Sequence, residues 1–154
     1  EVWKQWEELT GRAYHPVESY KAEGMDTLLI TMGSFSENAM MAIDKMQAEG
    51  KKVGLVRIRL WRPFPDEELL KAVSGAKTLI IFDRAMSLGG PAPVCSEIKT
   101  SLYSAANKPQ IVSFVGGLGG RDVSPDQLEL LINQGLEKAE ASQFDEMTVF
   151  GVRE

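Results

Sequence analysis

Residues 53–73, VGLVRIRLWRPFPDEELLKAV, decide how the chain is built. From Val53 to Leu60 the side chains alternate. Val56, Ile58 and Leu60 fall on one side, Arg57 and Arg59 on the other, the period of two that a strand imposes. Pro63 and Pro65 then end any strand, because neither has an amide hydrogen and each biases its predecessor toward extended backbone. Asp66 is placed to cap a helix, and Glu67 and Glu68 follow in a first turn where negative charge suits the helix dipole. Leu69, Leu70 and Val73 give that helix its apolar stripe, and Gly75 ends it. Strand, double-proline corner and helix make half of a βαβ unit.

Outward from that unit the same rhythm repeats. Upstream, residues 26–32 (DTLLITM) are a nearly continuous apolar run, as expected of a strand covered on both faces. Gly33 follows, and Ser34 with Glu37 three places later has the form of a capping box. Ala39, Met40, Ile43 and Met46 predict that helix's buried stripe, closed by Gly50, with Met40, Met41 and Met46 as core filler. Downstream, residues 77–82 (KTLIIF) read as a strand, residues 83–91 as a polar loop, and residues 93–106 as a helix with Cys95, Ile98 and Leu102 on one face. Asn107-Lys108-Pro109 stops it. Gln110–Val115 is the next strand, followed by glycine-rich residues 116–122. Ser124-Pro125-Asp126-Gln127 is the strongest helix start in the chain, and Leu128, Leu131, Ile132 and Leu136 form the core face behind it. Residues 147–152 (MTVFGV) suit a final strand.

The N-terminal stretch is less regular. Residues 13–20 (AYHPVESY) are extended, broken at Pro16, and suit an edge strand. Val2–Thr10 spaces Trp3, Trp6 and Leu9 three apart before Gly11, which predicts a helix too short to stand alone in water. Its two indoles must dock either on this domain or on a neighbouring one. Strands alternating with helices in this way predict α/β architecture with a mostly parallel, three-layer sheet. Right-handed crossovers then place the post-strand loops, which begin at Gly33, Trp61, Asp83 and Gly116, on one edge, where such folds bind ligands.

A chain of 154 residues with 44 % apolar content suits one domain with a proper core. A net charge of −5 argues against a general nucleic-acid or anionic-membrane surface. No apolar run approaches the roughly 20 residues of a membrane span, and nothing at the N-terminus reads as a signal peptide. One cysteine excludes an intrachain disulfide and any multi-cysteine zinc or iron–sulfur site within the chain, so a reducing, cytoplasmic setting is the simplest expectation. The chain opens at Glu1 rather than methionine, which is expected of a piece of something longer.

Chemistry is sparse. In residues 116–122, Gly117 and Gly119 give G-x-G, but Asp122 stands where the third glycine of a dinucleotide fingerprint belongs, which leaves a tight turn or a ligand loop. Asp83 and Arg84 close a strand on the ligand edge, as an internal ion pair, an interface contact or a catalytic pair. Arg57 and Arg59 make either a solvated face paired with local carboxylates or a strand end aimed at a partner. Cys95, in register with Ile98 and Leu102, reads as a small core residue. His15 is the one histidine, so a histidine-based metal site or Cys–His dyad would have to use it. Ser34 and Ser36 lack the G-x-S-x-G surround of a nucleophile and read as capping residues.

Five stretches in consistent order carry a family resemblance: MGS at 32–34, LVRIRLWRPFP at 55–65, IIFDRAMSLGG at 80–90, VGGLGGRD at 115–122 and FGVRE at 150–154. Together they resemble the C-terminal part of the α subunit of 2-oxoacid:ferredoxin oxidoreductases, pyruvate:ferredoxin oxidoreductase (pyruvate synthase) most of all. The resemblance implies a domain like the C-terminal domain of transketolases, a three-layer α/β/α unit. Its mostly parallel five-stranded sheet has one antiparallel edge strand, for which residues 13–20 would serve. It further implies residues 1–12 as a helix and linker from a preceding domain, residues 13–154 as the transketolase-C-like domain, and Arg153-Glu154 as the natural end of a separate α subunit.

Enzymes of this family decarboxylate a 2-oxoacid oxidatively on thiamine diphosphate with Mg, pass electrons through 4Fe–4S clusters to ferredoxin, and form an acyl-CoA. This chain has no G-D-G thiamine-diphosphate motif, and one cysteine cannot ligate a cluster. No catalytic, cofactor-binding or metal-ligating residue is therefore carried over. What the resemblance implies is scaffolding. The domain would hold the preceding α domain and the β, γ and ferredoxin-like δ subunits in register, with no nucleic-acid or membrane partner. Arginine and aromatic side chains suit such contacts, and Trp3, Trp6, Arg57, Arg59, Trp61, Arg62, Asp83 and Arg84 are the interface candidates. Two other readings stay open: a stand-alone α/β module binding a nucleotide or flavin at the Gly33, Asp83 and Gly116 edge, and an adaptor domain without cofactor.

Overall fold

A computed structural model of the chain describes residues 1–144 and 147–152. Arg153 and Glu154, expected to be the end of an α subunit, lie outside the described residues. The central sheet has the order β1-β3-β2-β4-β5-β6. Its strands are β1 (Val17–Tyr20), β2 (Thr27–Met32), β3 (Val53–Ile58), β4 (Thr78–Asp83), β5 (Gln110–Val115) and β6 (Thr148–Val149). β1 runs antiparallel to β3 at one edge, and every other pairing is parallel. The mostly parallel sheet with an antiparallel edge strand is thus present, and the two-residue β6 adds a sixth member.

Helices cover both faces. α2 (Phe35–Ala48) and α5 (Pro125–Glu140) share one core with Leu29, Leu55, Ile80 and Phe114 of the sheet. α3 (Asp66–Val73) and α4 (Pro93–Leu102) share the other with Leu28, Ile30, Val56 and Ile81. Each such side chain contributes about 1.5–3 kcal/mol on full burial, which explains why the apolar runs of β2 and β4 are continuous rather than alternating. In α5, Gly135 lies against β4 so closely that a Cβ there would sit 2.6 Å from the Ile80 side chain. Among the described residues, no helix is long and apolar enough to cross a membrane.

The local signals fare unevenly. Ser124 forms the full capping box with Gln127, as expected, with Pro125 in the first turn. The box expected at Ser34 and Glu37 does not form: Ser34 has helical backbone angles and no side-chain cap bond, and Glu37 reaches Arg57 instead. Asp66 is the first helical residue rather than the cap, a place taken by Pro65, and its carboxylate accepts from the Ser101 hydroxyl. β3 ends at Ile58 with all six residues buried, so Leu60 lies beyond the strand and Arg57 does not face open solvent. α4 stops at Leu102, short of residue 106. Met46 fills the core and Met40 packs on its margin, but Met41 is exposed.

α1 (Val2–Thr10) ends at Gly11, whose φ of 69° is the left-handed value that favours glycine. None of its residues is buried. Trp3 is half-buried and Trp6 49 % exposed, so its indoles find only partial cover on this domain.

Candidate functional site

Because β2 to β6 point the same way, their C-terminal ends and the start of β1 share one edge of the sheet. The first cluster there surrounds β3. Antiparallel pairing sets Glu18 of β1 opposite Arg57 of β3. The Arg57 side chain, in a residue only 8 % exposed, donates from Nη2 to Glu18 Oε2 at 2.9 Å and from Nη1 to Glu37 Oε1. Arg59 Nε donates to the other Glu18 oxygen at 2.6 Å, and its guanidinium lies 4.7 Å over the Tyr14 ring. Burial pushes the Glu18 carboxyl up, but the hydrogen bonds from Arg59 and Arg57 outweigh it and hold the group below its ordinary value. Of the two roles open to Arg57 and Arg59, pairing with local carboxylates is the one the geometry contains, with Arg57 buried rather than solvated.

Tyr14 also faces α1. With Val2, Trp3 and Trp6 it lines a shallow hollow of about 240 Å³, so both indoles connect through Tyr14 to the Arg59 cluster. Beyond β3, the Arg62 guanidinium stacks 4.3 Å over the Trp61 ring and Arg62 Nη2 pairs with Glu97 of α4 at 2.6 Å. Trp61 meets Phe64 edge-on at 5.6 Å. The structure thus gathers Trp3, Trp6, Arg57 and Arg59 around Tyr14 and Glu18, with Trp61 and Arg62 next along the same edge.

The second cluster closes β4. Asp83 is 3 % exposed and does not pair with Arg84. Its Oδ2 accepts from the Val94 amide at 2.6 Å and its Oδ1 from the Ala85 amide at 3.2 Å, so it caps α4 across the intervening loop. Burial pushes its carboxyl up, only partly offset by these amides. Arg84 turns outward. Its Nε donates to the Gly117 carbonyl at 3.3 Å and its guanidinium lies 5.2 Å from the Phe35 ring centre.

Phe35 occupies the crevice that parallel sheets offer to ligands. In the order β3-β2-β4, the chain leaves β2 in one direction and β4 in the other, and ligands of such sheets sit outside the strand ends at this switch point. Here the Phe35 ring stacks on Phe82 at 5.0 Å, and a Cβ on Gly117 would meet it at 2.3 Å. Gly117, with φ of 65°, lets the loop turn tightly over that ring. Within residues 116–122, Leu118–Gly120 form a tight 3₁₀ turn.

The groups that suggest chemistry elsewhere are structural. Cys95 is fully buried in the α3/α4 core, and burial raises its thiol. The Ser36 hydroxyl pairs with Thr31 at 2.7 Å inside the core, instead of capping α2. His15 is exposed beside a hollow of about 610 Å³ between β1 and α3. Among the described residues no group of three or more His, Cys, Asp or Glu is placed to hold a metal ion. The single cysteine cannot by itself hold a 4Fe–4S cluster.

Sequence reading missed Glu18, Glu37, Tyr14 and Phe35. The first was within reach: an antiparallel β1 beside β3 needs only the register to set Glu18 against Arg57. Nothing local marks Phe35 as the ring that fills the crevice.

Comparison with known proteins follows the same outline. The family model for pyruvate:ferredoxin oxidoreductase core domain II matches residues 25–128. Pyruvate synthase subunit PorA of Thermotoga maritima is 35 % identical over 154 residues, 100 % of this chain and 39 % of its own length. The chain thus spans about two fifths of that curated relative. Among solved structures, 2-oxoglutarate:ferredoxin oxidoreductase from Magnetococcus marinus, with 2-oxoglutarate, coenzyme A and succinyl-CoA bound, superposes with a TM-score of 0.58 at 21 % identity. That match covers 86 % of this chain and 21 % of the other. An inactive β4 tetramer of a split-gene transketolase gives 0.60 at 16 % identity, over 82 % of this chain and 45 % of the other. At those identities the two superpositions establish the transketolase-like fold.

Proposed function

The chain belongs to the pyruvate:ferredoxin oxidoreductase core domain II family, and on that premise we propose that it is the assembly domain of a 2-oxoacid:ferredoxin oxidoreductase α subunit. In this reading the whole enzyme decarboxylates pyruvate on thiamine diphosphate and passes the electrons through 4Fe–4S clusters to ferredoxin, leaving acetyl-CoA and CO2. Pyruvate is chosen over other 2-oxoacids on the likeness to PorA. The reacting groups belong to other domains and subunits. This domain positions them, binding the preceding α domain and the β, γ and ferredoxin-like δ subunits through Trp3, Trp6, Arg59, Trp61, Arg62 and Arg84. Arg57 and Asp83 act from behind that surface by fixing the strand ends.

The observation that carries the reading is the gathering of indole and guanidinium groups at one end of the sheet, beside a helix with no fully buried residue and only Trp3 half-buried. Such a helix needs a surface from elsewhere in the parent protein. The test is pyruvate-dependent reduction of ferredoxin or a viologen. Activity is expected when the full-length parent chain is co-expressed with the thiamine-diphosphate subunit, and none from the 154 residues alone. Turnover by the 154 residues alone would contradict an assembly role.

A further inference from the structure

Asp83 sits where a carboxylate is costly, buried and without a cationic partner among the described residues. What it gains is two backbone amides from opposite roots of one loop, Ala85 at the start and Val94 just past the end. Residues 84–92 are therefore clasped at the base by a single side chain. The loop tightens again at its tip, where the Gly90 amide reaches the Ser87 carbonyl at 3.3 Å. Between these two closures it sends Leu88, fully exposed, and Met86 into solvent.

The surroundings extend that apolar tip. Arg84 ties the loop to Gly117, beside exposed Leu118, and exposed Met32 ends the neighbouring strand β2. Arg84 and Arg121 have no carboxylate partner among the described residues, whereas Arg57 has two and Arg59 and Arg62 one each. The one acidic side chain exposed in these two loops is Asp122. An apolar centre with guanidinium groups that lack a carboxylate partner at its rim has the anatomy of a protein contact. A second copy meeting the same patch about a two-fold axis would bring two rims together that each carry Arg84 and Arg121 against the single Asp122, a like-charge arrangement that opposes self-association.

We infer that the 84–92 loop is a docking finger whose partner is a neighbouring subunit of the same oxidoreductase, presenting an apolar hollow rimmed by carboxylates. The inference rests on the assembly role proposed above and names the partner's surface. Its test uses the full-length parent chain co-expressed with its partner subunits, reading the amount of each that co-purifies. Leu88→Asp and Arg84→Glu should each lower recovery of one partner about tenfold, while Leu88→Met retains it. Carbodiimide treatment of the assembled R84K variant should link position 84 to an Asp or Glu of that partner. Wild-type recovery with both Leu88→Asp and Arg84→Glu, or a link only to another copy of this chain, overturns the finger. A Trp3→Ala/Trp6→Ala variant separates the two readings. If it loses partners while Leu88→Asp does not, the finger falls and the assembly role stands; if neither loses any, both fall.

Discussion

At the end of β3, Arg57 and Arg59 close on Glu18, Arg57 also takes Glu37, and the charges are satisfied within the domain. At the end of β4, Asp83 turns inward onto backbone amides and Arg84 turns outward onto a carbonyl and a ring. Both strands deliver charged residues to the same edge, yet one cluster is self-contained and the other leaves a guanidinium uncommitted. The difference comes from what lies alongside. β3 has an antiparallel edge strand with a carboxylate in register, while β4 lies between two parallel strands whose ends supply glycine turns and aromatic rings. A charge that finds its counter-charge inside the fold serves stability, and one that does not is available to a partner.

The contrast is broken most severely by Arg57→Ala. It removes the buried one of the two guanidinium groups on Glu18, so unfolding in urea should come about 3 kcal/mol easier, the lower end for a broken buried pair because Arg59 still holds Glu18 and both carboxylates keep some water. A loss of a few tenths would mean that the β3 cluster is not the closed unit described. Asp83→Ala ranks next at about 2 kcal/mol, since it uncaps α4 and frees two amides. Asp83→Asn, keeping one acceptor, should recover part of that.

The two carboxylates should also answer pH in opposite senses. Glu18, held below its ordinary value by its arginines, contributes stability that is present above the usual carboxylate range and lost as pH falls through its folded value. Asp83, raised by burial, contributes stability that is full below that range and lost as pH rises through its folded value. Wild type compared with Glu18→Gln and with Asp83→Asn across pH 3–7 should give differences that slope in opposite directions. Parallel slopes would remove the distinction between the clusters. Smallest of all, Arg84→Ala should shift the stability of the chain by no more than about 0.5 kcal/mol, because an exposed arginine on a carbonyl and a ring contributes little to folding. A cost near that of Arg57→Ala would show that Arg84 is held for the fold.

The order of elements was legible because the apolar runs at β2, β4 and β5 are long and the turn residues between them are decisive. Ser124-Pro125-Asp126-Gln127 was read correctly for a local reason: every atom of that box lies within four residues. The Ser34–Glu37 box failed for a non-local one. Arg57, twenty positions later in sequence, offers Glu37 a full charge, which outbids a backbone amide. The alternation seen from Val53 to Leu60 was real as a strand signal but misplaced Arg57, because the sheet is covered on both faces at that point. Of the interface candidates, Trp6 and Arg62 are exposed and Trp3 and Trp61 half-buried. Asp83 was read by its charge, when its role follows from loop roots nine residues apart.

The central claim is that these side chains position an enzyme's parts and take no share in its chemistry. It is tested most directly by turnover per assembled complex, measured with pyruvate and ferredoxin on enzyme carrying Trp61→Ala, Arg62→Ala and Arg84→Ala together. An assembly role predicts less assembled complex, with turnover in whatever does assemble within about twofold of wild type. Full assembly with turnover reduced by about tenfold or more would contradict it and move these residues into the reaction itself.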